Sequence, residues 1–91
     1  MAIKIIFDPA KDAANRAKHG LSLAEAGHME WETAMIWVDA RRDYGELRQS
    51  ALVMRADQVF FVAFVDRTDG RRIISLRKAN RREARLYASN D

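Results

Sequence analysis

The sequence contains no cysteine, and it has only two histidines, His19 and His28. The absence of cysteine excludes disulfide bonds and thiolate metal sites. The two histidines are nine residues apart, which is not a spacing that places two metal ligands on one helix. We therefore expect neither a metal site nor a cofactor.

Long apolar runs are also missing. No segment approaches the roughly 20 consecutive apolar residues that a membrane-spanning helix needs. The N-terminal run from Met1 to Phe7 has neither a long apolar region nor a cleavage site, so it is typical of a strand rather than of a signal peptide. These absences favour a cytoplasmic protein that does not contact membranes.

Basic charge is abundant, and it is unevenly distributed. The net charge is +3, but residues 1–45 carry a net −1 and residues 46–91 a net +4. Twelve of the sixteen basic residues are arginines, whose guanidinium groups bind phosphate or carboxylate in a two-pronged way. Seven basic residues and one acidic residue lie between Arg71 and Arg85. The pattern is typical either of a solvated arginine-rich surface or of a phosphate-binding face in the C-terminal half.

The length of 91 residues suits one domain, which we assign to residues 1–91. The apolar pattern predicts an α+β fold in the order β-α-α-β-β-β-β-α. We expect an antiparallel sheet of four to five strands, with an N-terminal helical hairpin on one face and a C-terminal helix. The predicted strands are about 3–7, 33–38, 47–55, 58–65 and 71–78; the predicted helices are 9–19, 23–31 and a last one that runs to about Ala88.

Local signals support these boundaries. Asp8-Pro9 is a helix start, and Gly20 fits the left-handed residue that ends a helix. The segments 22–25 and 80–83 have the pattern of capping boxes. The residues Ala56-Asp57 predict a tight hairpin turn, and the polar segment 39–46 predicts a loop. Trp31 and Trp37 are interpreted as core residues.

Three segments, taken together, point to a known family. The chain contains FDPAK at 7–11 followed by Asn15, Lys18-His19-Gly20 and Ser22; then Tyr44-Gly45-Glu46 with Arg48; then RIISLRKANRRE at 72–83, continuing to Tyr87. In this order and at these separations they resemble the signatures of BrnT-like toxins, which are ribonucleases of the RelE-like class in bacterial type II toxin–antitoxin systems.

The resemblance implies a RelE-like fold and an endoribonuclease that halts translation. It also implies a cognate antitoxin, BrnA-like and of the ribbon-helix-helix type, that binds and inhibits the toxin. The antitoxin would supply the DNA-binding domains, so that the toxin contacts DNA only indirectly. Gln49-Ser50-Ala51 is smaller and more polar than the aromatic-aliphatic segment typical of the family, so the resemblance does not extend to the groove beside Arg48.

RNA can be cleaved without a metal because its own 2′-hydroxyl can attack the neighbouring phosphate. The protein must align the reacting atoms, help to move two protons and stabilise charge on the phosphorane. The candidate catalytic residues are Arg48, Arg77, His19 and Glu46, and the candidate substrate-binding residues are Lys11, Lys18, Arg71, Lys78 and Tyr87.

Arg77 is the first of these candidates. Alternation along its strand predicts that Arg71, Ser75 and Arg77 share the open face of the sheet. Ile74 and Leu76 then point into the core. A guanidinium on the open face can reach a phosphate; the alternative is a surface arginine paired with an acidic residue.

Arg48 begins the third strand, and antiparallel pairing is expected to bring it close to Arg77. Glu46 is the carboxylate beside this pair and is a candidate proton acceptor. The alternative is that Arg48 and Glu46 form an ion pair at the rim.

The other candidates have two interpretations each. Histidine suits proton transfer near neutral pH, but at a helix C-terminus His19 can instead cap carbonyls or interact with the helix dipole. Lys11 and Lys18 bind phosphate or are solvated. Tyr87 stacks a base or packs the last helix. A non-enzymatic nucleic-acid- or protein-binding module, whose basic face docks an acidic partner, is the alternative to an RNA-cleaving toxin.

Overall fold

The computed structural model describes residues 3–41 and 43–89. Met1 and Ala2 of the N-terminal run and Arg42 of the predicted 39–46 loop lie outside them. The elements are β1 (Ile5–Ile6), α1 (Pro9–His19), a 3₁₀ helix (Leu23–His28), β2 (Glu30–Val38), β3 (Gln49–Arg55), β4 (Gln58–Arg67), β5 (Gly70–Lys78) and α2 (Arg81–Ser89). None of the helices in the described residues is long and apolar enough to cross a membrane.

The five strands form one sheet in the order β1-β5-β4-β3-β2, so the predicted α+β class is confirmed. Strands β2 to β5 pair antiparallel, but β1 pairs parallel to β5, with Ile5 beside Arg71 and Ile6 beside Arg72. The sheet is therefore mixed, and the prediction of an antiparallel sheet is wrong. Side-chain alternation indicates the face on which a residue lies, but it carries no information on the direction in which a short edge strand pairs.

The predicted helical hairpin is not confirmed, because only its first member is an α-helix. The second is a six-residue 3₁₀ helix, and Trp31, expected at its end, already belongs to β2. Ser22 caps the 3₁₀ helix by accepting a hydrogen bond from the Ala24 N–H at 3.1 Å. The reciprocal half of the predicted capping box is missing, since Glu25 pairs with Arg55.

Other boundary signals are confirmed. Asp8 accepts a hydrogen bond from the Ala10 N–H at 2.9 Å, and Gly20 ends α1 with a φ of 72°. At the start of α2, Asn80 and Glu83 form a complete capping box, with reciprocal bonds of 2.8 and 2.9 Å. Ala56 and Asp57 both have positive φ in the tight turn between β3 and β4.

The sheet has an inner face and an outer face. The inner face packs on the 3₁₀ helix, and the buried cluster there consists of Leu23, Ala26, Met29, Ala51, Val53, Phe60, Val62, Phe64, Ile73 and Leu76. The alternate residues of the same strands form the outer face, where α2 contacts β3 and β4. Trp31 packs against the inner cluster as predicted, but Trp37 is 38 % exposed and is not a core residue.

A β-bulge in β5 changes the faces predicted for that strand. Ala63 pairs with Ser75 whereas Phe64 pairs with Ile73, so Ile74 is an extra residue. Ile73 and Leu76 are both fully buried in the inner cluster, and Ile74 is only half-buried. The prediction that Ile74 points into the core beside Leu76 is therefore wrong.

Asn15 fixes α1 against the edge of β5. It is the buried residue of α1, and its amide donates to the carbonyl oxygens of Leu76 at 2.8 Å and Leu21 at 2.9 Å. Its side-chain oxygen accepts from the Leu76 N–H at 3.0 Å. Asn15 thus replaces a strand partner at a position of β5 that β1 is too short to reach.

Candidate active site

A cleft of about 330 Å³ lies between α1 and β5. It is lined by Lys11, Ala14, Asn15, Lys18, His19, Ile74, Ser75 and Arg77. Four of the nine predicted site residues, Lys11, Lys18, His19 and Arg77, therefore meet around one cavity although they are far apart in sequence. The lining contains basic groups and no carboxylate, which suits an anionic ligand.

Helix α1 supplies three of the basic side chains. Lys11 and Lys18 are seven residues apart, so they lie on the same side of the helix about 10 Å from each other along its axis. His19 is the last residue of α1 and is half-buried at the cleft. The hydrogen bonds of Asn15 lie between these positions and hold this side of the helix against β5.

Arg77 approaches the same cleft from the outer face of β5. Its guanidinium carbon lies 4.4 Å from the centre of the Phe61 ring. Nη1 and Nη2 donate to the two carboxylate oxygens of Glu83 at 2.8 and 2.9 Å, and Nη1 also donates to the Lys78 carbonyl at 3.3 Å. Because the capping box of α2 orients Glu83, the sheet and the helix together fix the guanidinium.

The ion pair leaves part of the guanidinium available. Nε and the second hydrogen of Nη2 have no hydrogen-bond partner among the described residues, and these two donors form one side of the planar group. Such a pair of parallel N–H groups matches two phosphate oxygens. Arg77 can therefore stay bound to Glu83 while it binds a phosphate.

The charges of this pair persist at neutral pH. The hydrogen bonds to Glu83 raise the pKa of Arg77, and the hydrogen bonds from Arg77 lower the pKa of Glu83, in each case against the effect of burial. Glu83 is therefore ionised near neutral pH, where it can hold Arg77 but cannot donate a proton.

Comparison with known families identifies the kind of protein to which this cleft belongs. The model of the ribonuclease toxin BrnT, of type II toxin–antitoxin systems, matches residues 7–83. The chain belongs to the BrnT family. The matched range contains every residue that lines the cleft, and the resemblance seen in the sequence is confirmed. No match to a curated protein was found.

Membership in the BrnT family makes this chain a ribonuclease toxin of a type II toxin–antitoxin system, and such membership implies a cognate antitoxin as partner. Within residues 3–41 and 43–89, no group of three or more histidine, aspartate or glutamate side chains is placed to hold a metal ion. The titratable groups among the residues that line the α1–β5 cleft are one imidazole, one guanidinium and two ammonium groups.

Arg48 and Glu46 lie elsewhere in this BrnT toxin. Register places Leu52, and not Arg48, in line with Phe61 and Arg77. Arg48 is four residues from Leu52 along β3, which is about 13 Å, and β3 is two strands from the β5 strand of Arg77, which is about 10 Å. The prediction that Arg48 is close to Arg77 is therefore wrong.

The local partners of Arg48 and Glu46 also differ from those expected. The Arg48 guanidinium stacks on the Tyr44 ring at 3.9 Å, and its buried Nε has no hydrogen-bond partner among the residues that the structure describes. Glu46 pairs with Arg67 at 3.0 Å and not with Arg48. Arg48 is thus an arginine of the outer face outside the cleft, and Glu46 is held in a surface ion pair.

The remaining predicted residues lie outside the cleft. Because of the bulge, Arg71 is on the inner face, where it covers the rings of Trp31 and Phe64 and pairs with Asp66 at 2.7 Å. Its predicted place beside Arg77 on the open face is wrong. Lys78 is exposed at the end of β5.

Tyr87 connects α2 to β2. Its hydroxyl donates to the Thr33 carbonyl at 3.2 Å and lies 3.4 Å from the Thr33 hydroxyl. These contacts fit the packing interpretation of Tyr87 better than a role in binding RNA in the α1–β5 cleft.

Asn15 shapes the cleft by holding α1 against β5, and this role was not predicted from the sequence. An asparagine inside a helix competes with the backbone for hydrogen bonds and has a low helix propensity. Its position among the alanines of α1 was a signal that its side chain bonds to something outside the helix. Nothing in the sequence identified the Leu76 backbone as that partner.

Proposed function

We propose that this BrnT-family chain is a metal-independent endoribonuclease of the RelE-like class. In this proposal it cuts RNA in the cleft between α1 and β5 and so halts translation. The observation that carries the proposal is the convergence of His19, Arg77 and two lysines on one cavity. These residue types supply proton transfer, stabilisation of an oxyanion and binding of flanking phosphates.

The reaction that fits these groups uses a nucleophile within the RNA. The 2′-oxygen forms a bond to the adjacent phosphorus, and the bond from phosphorus to the 5′-oxygen breaks. One proton leaves the 2′-hydroxyl and one proton reaches the departing 5′-oxygen. The products are a 2′,3′-cyclic phosphate and a free 5′-hydroxyl, and no water or redox partner enters this step.

The chemistry of each of the four side chains indicates its role in the reaction. The free Nε and Nη2 hydrogens of Arg77 stabilise the charge that develops on the phosphorane oxygens. His19 transfers one of the two protons, because histidine is the side chain suited to that role near neutral pH. Lys11 and Lys18 bind phosphates on either side of the scissile bond, and their separation along α1 is compatible with contacts to two phosphates.

Metal independence is supported by the charge of the cleft. A divalent cation needs oxygen ligands with negative charge, and the lining residues offer basic side chains instead. The same basic side chains neutralise phosphate charge, which is the task that a metal ion performs in other nucleases.

The partner of this site follows from the family. We propose that the cognate antitoxin is of the ribbon-helix-helix type and that the toxin reaches DNA only through it. The toxin acts in the cytoplasm, where RNA is translated. The basic cleft suits coverage by an acidic segment of the antitoxin, and such contact should weaken with salt because exposed charges are screened.

A cleavage assay in EDTA tests the proposal. We expect the purified toxin to cut single-stranded RNA in EDTA, and the double variant Lys11→Ala, Lys18→Ala to bind RNA more weakly. Each lysine that contacts a phosphate contributes about 0.7 to the slope of log K against log salt concentration on single strands, so the slope should fall by about 1.4. The matched control is Arg81→Ala, Arg85→Ala, which removes the same charge from exposed positions of α2.

Two results would contradict the proposal. Cleavage that requires added Mg²⁺ would show that metal independence is wrong. Binding of RNA without cleavage in either condition, by folded protein, would favour the non-enzymatic module. Expression in cells gives a second readout: growth should stop and should recover when the neighbouring antitoxin gene is co-expressed.

A further inference from the structure

A second cleft, of about 420 Å³, opens on the outer face at the β2 edge of the sheet. It is lined by Trp37, Val38, Asp39, Ala40, Arg41, Ser50 and Phe61. None of these residues lines the α1–β5 cleft. The cleft combines two aromatic rings with a small number of polar groups, which is the usual composition of a site for a planar ligand.

Trp37 provides the aromatic surface. Its side chain is 38 % exposed although it belongs to a strand of the sheet. The Phe61 ring lies 6.1 Å away at an interplanar angle of 62°, so it supports the indole from the side. An indole fixed in this way can stack on a base.

Ser50 provides a hydroxyl group at the cleft. The residue is only 3 % exposed overall, and it is one of the residues that line the cleft. A serine hydroxyl can both donate and accept a hydrogen bond, so Ser50 can bind the polar edge of a ligand in this cleft. Asp39, in contrast, is saturated: its carboxylate accepts from Arg41 and from the Tyr44 hydroxyl.

One row of paired residues on the outer face forms the path from this cleft to the α1–β5 cleft. Trp37, Ser50, Ala63 and Ser75 pair in succession across four strands, so one row of the outer face runs from β2 to β5. With about 4.8 Å between strands, the row is about 14 Å long. Three of its residues are small, and the neighbouring rows carry larger ones.

The rows on each side of this path carry arginines. Arg77 lies on one side, beyond Phe61, and Arg72 lies on the other, beside Val65. Arg48 precedes the Gln49–Phe64 pair and so lies in the row of Val65 and Arg72. A single-stranded chain along the row would pass between basic side chains that neutralise its phosphates.

We infer that the Trp37–Ser50 cleft binds one unpaired base of the RNA, a few nucleotides from the bond that is cut. The base stacks on Trp37, and its polar edge hydrogen-bonds to the Ser50 hydroxyl. This inference rests on the proposed function, because the same strand of RNA must occupy the α1–β5 cleft. It makes Trp37 and Ser50 determinants of which RNA sequence is cut.

The experiment uses tryptophan fluorescence and a ligand that cannot be cleaved. The chain has two tryptophans, so the difference between wild type and Trp37→Phe reports Trp37 alone. Short homopolymeric deoxyoligonucleotides lack the 2′-hydroxyl, and they are titrated into both proteins. We expect quenching of the Trp37 emission and a loss of affinity of roughly 5- to 150-fold in Trp37→Ala, the range of one base–aromatic stack. Trp37→Phe, which keeps an aromatic ring, should bind within a few-fold of wild type.

Ser50→Ala and Ile36→Ala complete the design. Ser50→Ala should reduce the differences in affinity among the four homopolymers. Ile36→Ala is the matched control, because Ile36 is a similarly exposed apolar neighbour of Trp37 whose side chain is on the opposite face of β2. It should leave affinity unchanged.

The outcomes separate this inference from the proposed function. Unquenched Trp37 emission, or equal affinity in wild type and folded Trp37→Ala, overturns the base site even if wild type cuts RNA. Quenching of Trp37 by a toxin that cuts no RNA supports the base site and contradicts the proposed function instead. If Trp37→Ala does not fold, the Trp37 emission still decides the question, because it is obtained from the difference in fluorescence between wild type and Trp37→Phe.

Discussion

Arg77→Ala is expected to reduce RNA cleavage by roughly 10²-fold or more, since one donor aimed at a developing oxyanion contributes about that factor. Stability should fall by about 1 kcal/mol or less, because the lost ion pair with Glu83 is partly exposed and Glu83 keeps its bond to the Asn80 N–H. Single-turnover cleavage rates measured with saturating RNA, alongside urea denaturation, separate the two effects.

Two further variants test why Arg77 is effective. Arg77→Lys keeps the positive charge but cannot bind Glu83 and a phosphate with parallel N–H pairs, so it should restore binding more than rate. Glu83→Gln keeps the capping box but removes the charge that orients Arg77, so the rate should fall while α2 stays formed. Equal rates in wild type and Arg77→Ala would show that the chemistry is not in this cleft.

Asn15→Ala is expected to destabilise the protein by about 2–4 kcal/mol, because the Leu76 N–H and the Leu76 and Leu21 carbonyls lose their partner and each buried unpaired group costs about 1–3 kcal/mol. The whole free energy of unfolding of a domain of this length is only about 5–14 kcal/mol. Urea denaturation should therefore show a much lower midpoint with an unchanged slope.

Asn15→Asp distinguishes hydrogen bonding from the loss of side-chain volume. A carboxylate oxygen would replace the amide nitrogen and face two carbonyl oxygens, so at neutral pH the loss should be at least as large as in Asn15→Ala. Burial and these carbonyls raise the pKa of the introduced carboxyl group. Stability should then recover partly as the pH falls and the group is protonated. Lys18→Ala, an exposed change on the same helix, should stay within about 0.5 kcal/mol of wild type; a similarly small change in Asn15→Ala would contradict the account.

Local signals in the sequence predicted the ends of α1 and the start of α2 correctly, because local chemistry determines them. The start at Asp8-Pro9, the stop at Gly20 and the Asn80–Glu83 capping box each depend on backbone groups a few residues away. The family resemblance was also confirmed, because a family match depends on the residues themselves and not on tertiary contacts.

What could not be predicted depends on contacts between distant parts of the chain. The bulge at Ile74 shifts the register between β4 and β5 by one residue. As a result, Arg71 lies on the inner face of the sheet and Arg77 on the outer face. The parallel direction of β1 and the pairing of Asn15 with Leu76 are likewise set by tertiary structure. Lys11, Lys18, His19 and Arg77, which the sequence suggested as site residues, line one cleft, but the sequence could not show that Arg48 lies in another row.

The chemical ends of the RNA products test the central claim most directly. The wild-type toxin is incubated in EDTA with a short single-stranded RNA, and the fragments are weighed by mass spectrometry. Attack by the 2′-oxygen predicts a 2′,3′-cyclic phosphate, or the 3′-phosphate formed from it, on one fragment and a 5′-hydroxyl on the other. Fragments with a 3′-hydroxyl and a 5′-phosphate would contradict the account, because they require attack by water or hydroxide on the phosphorus.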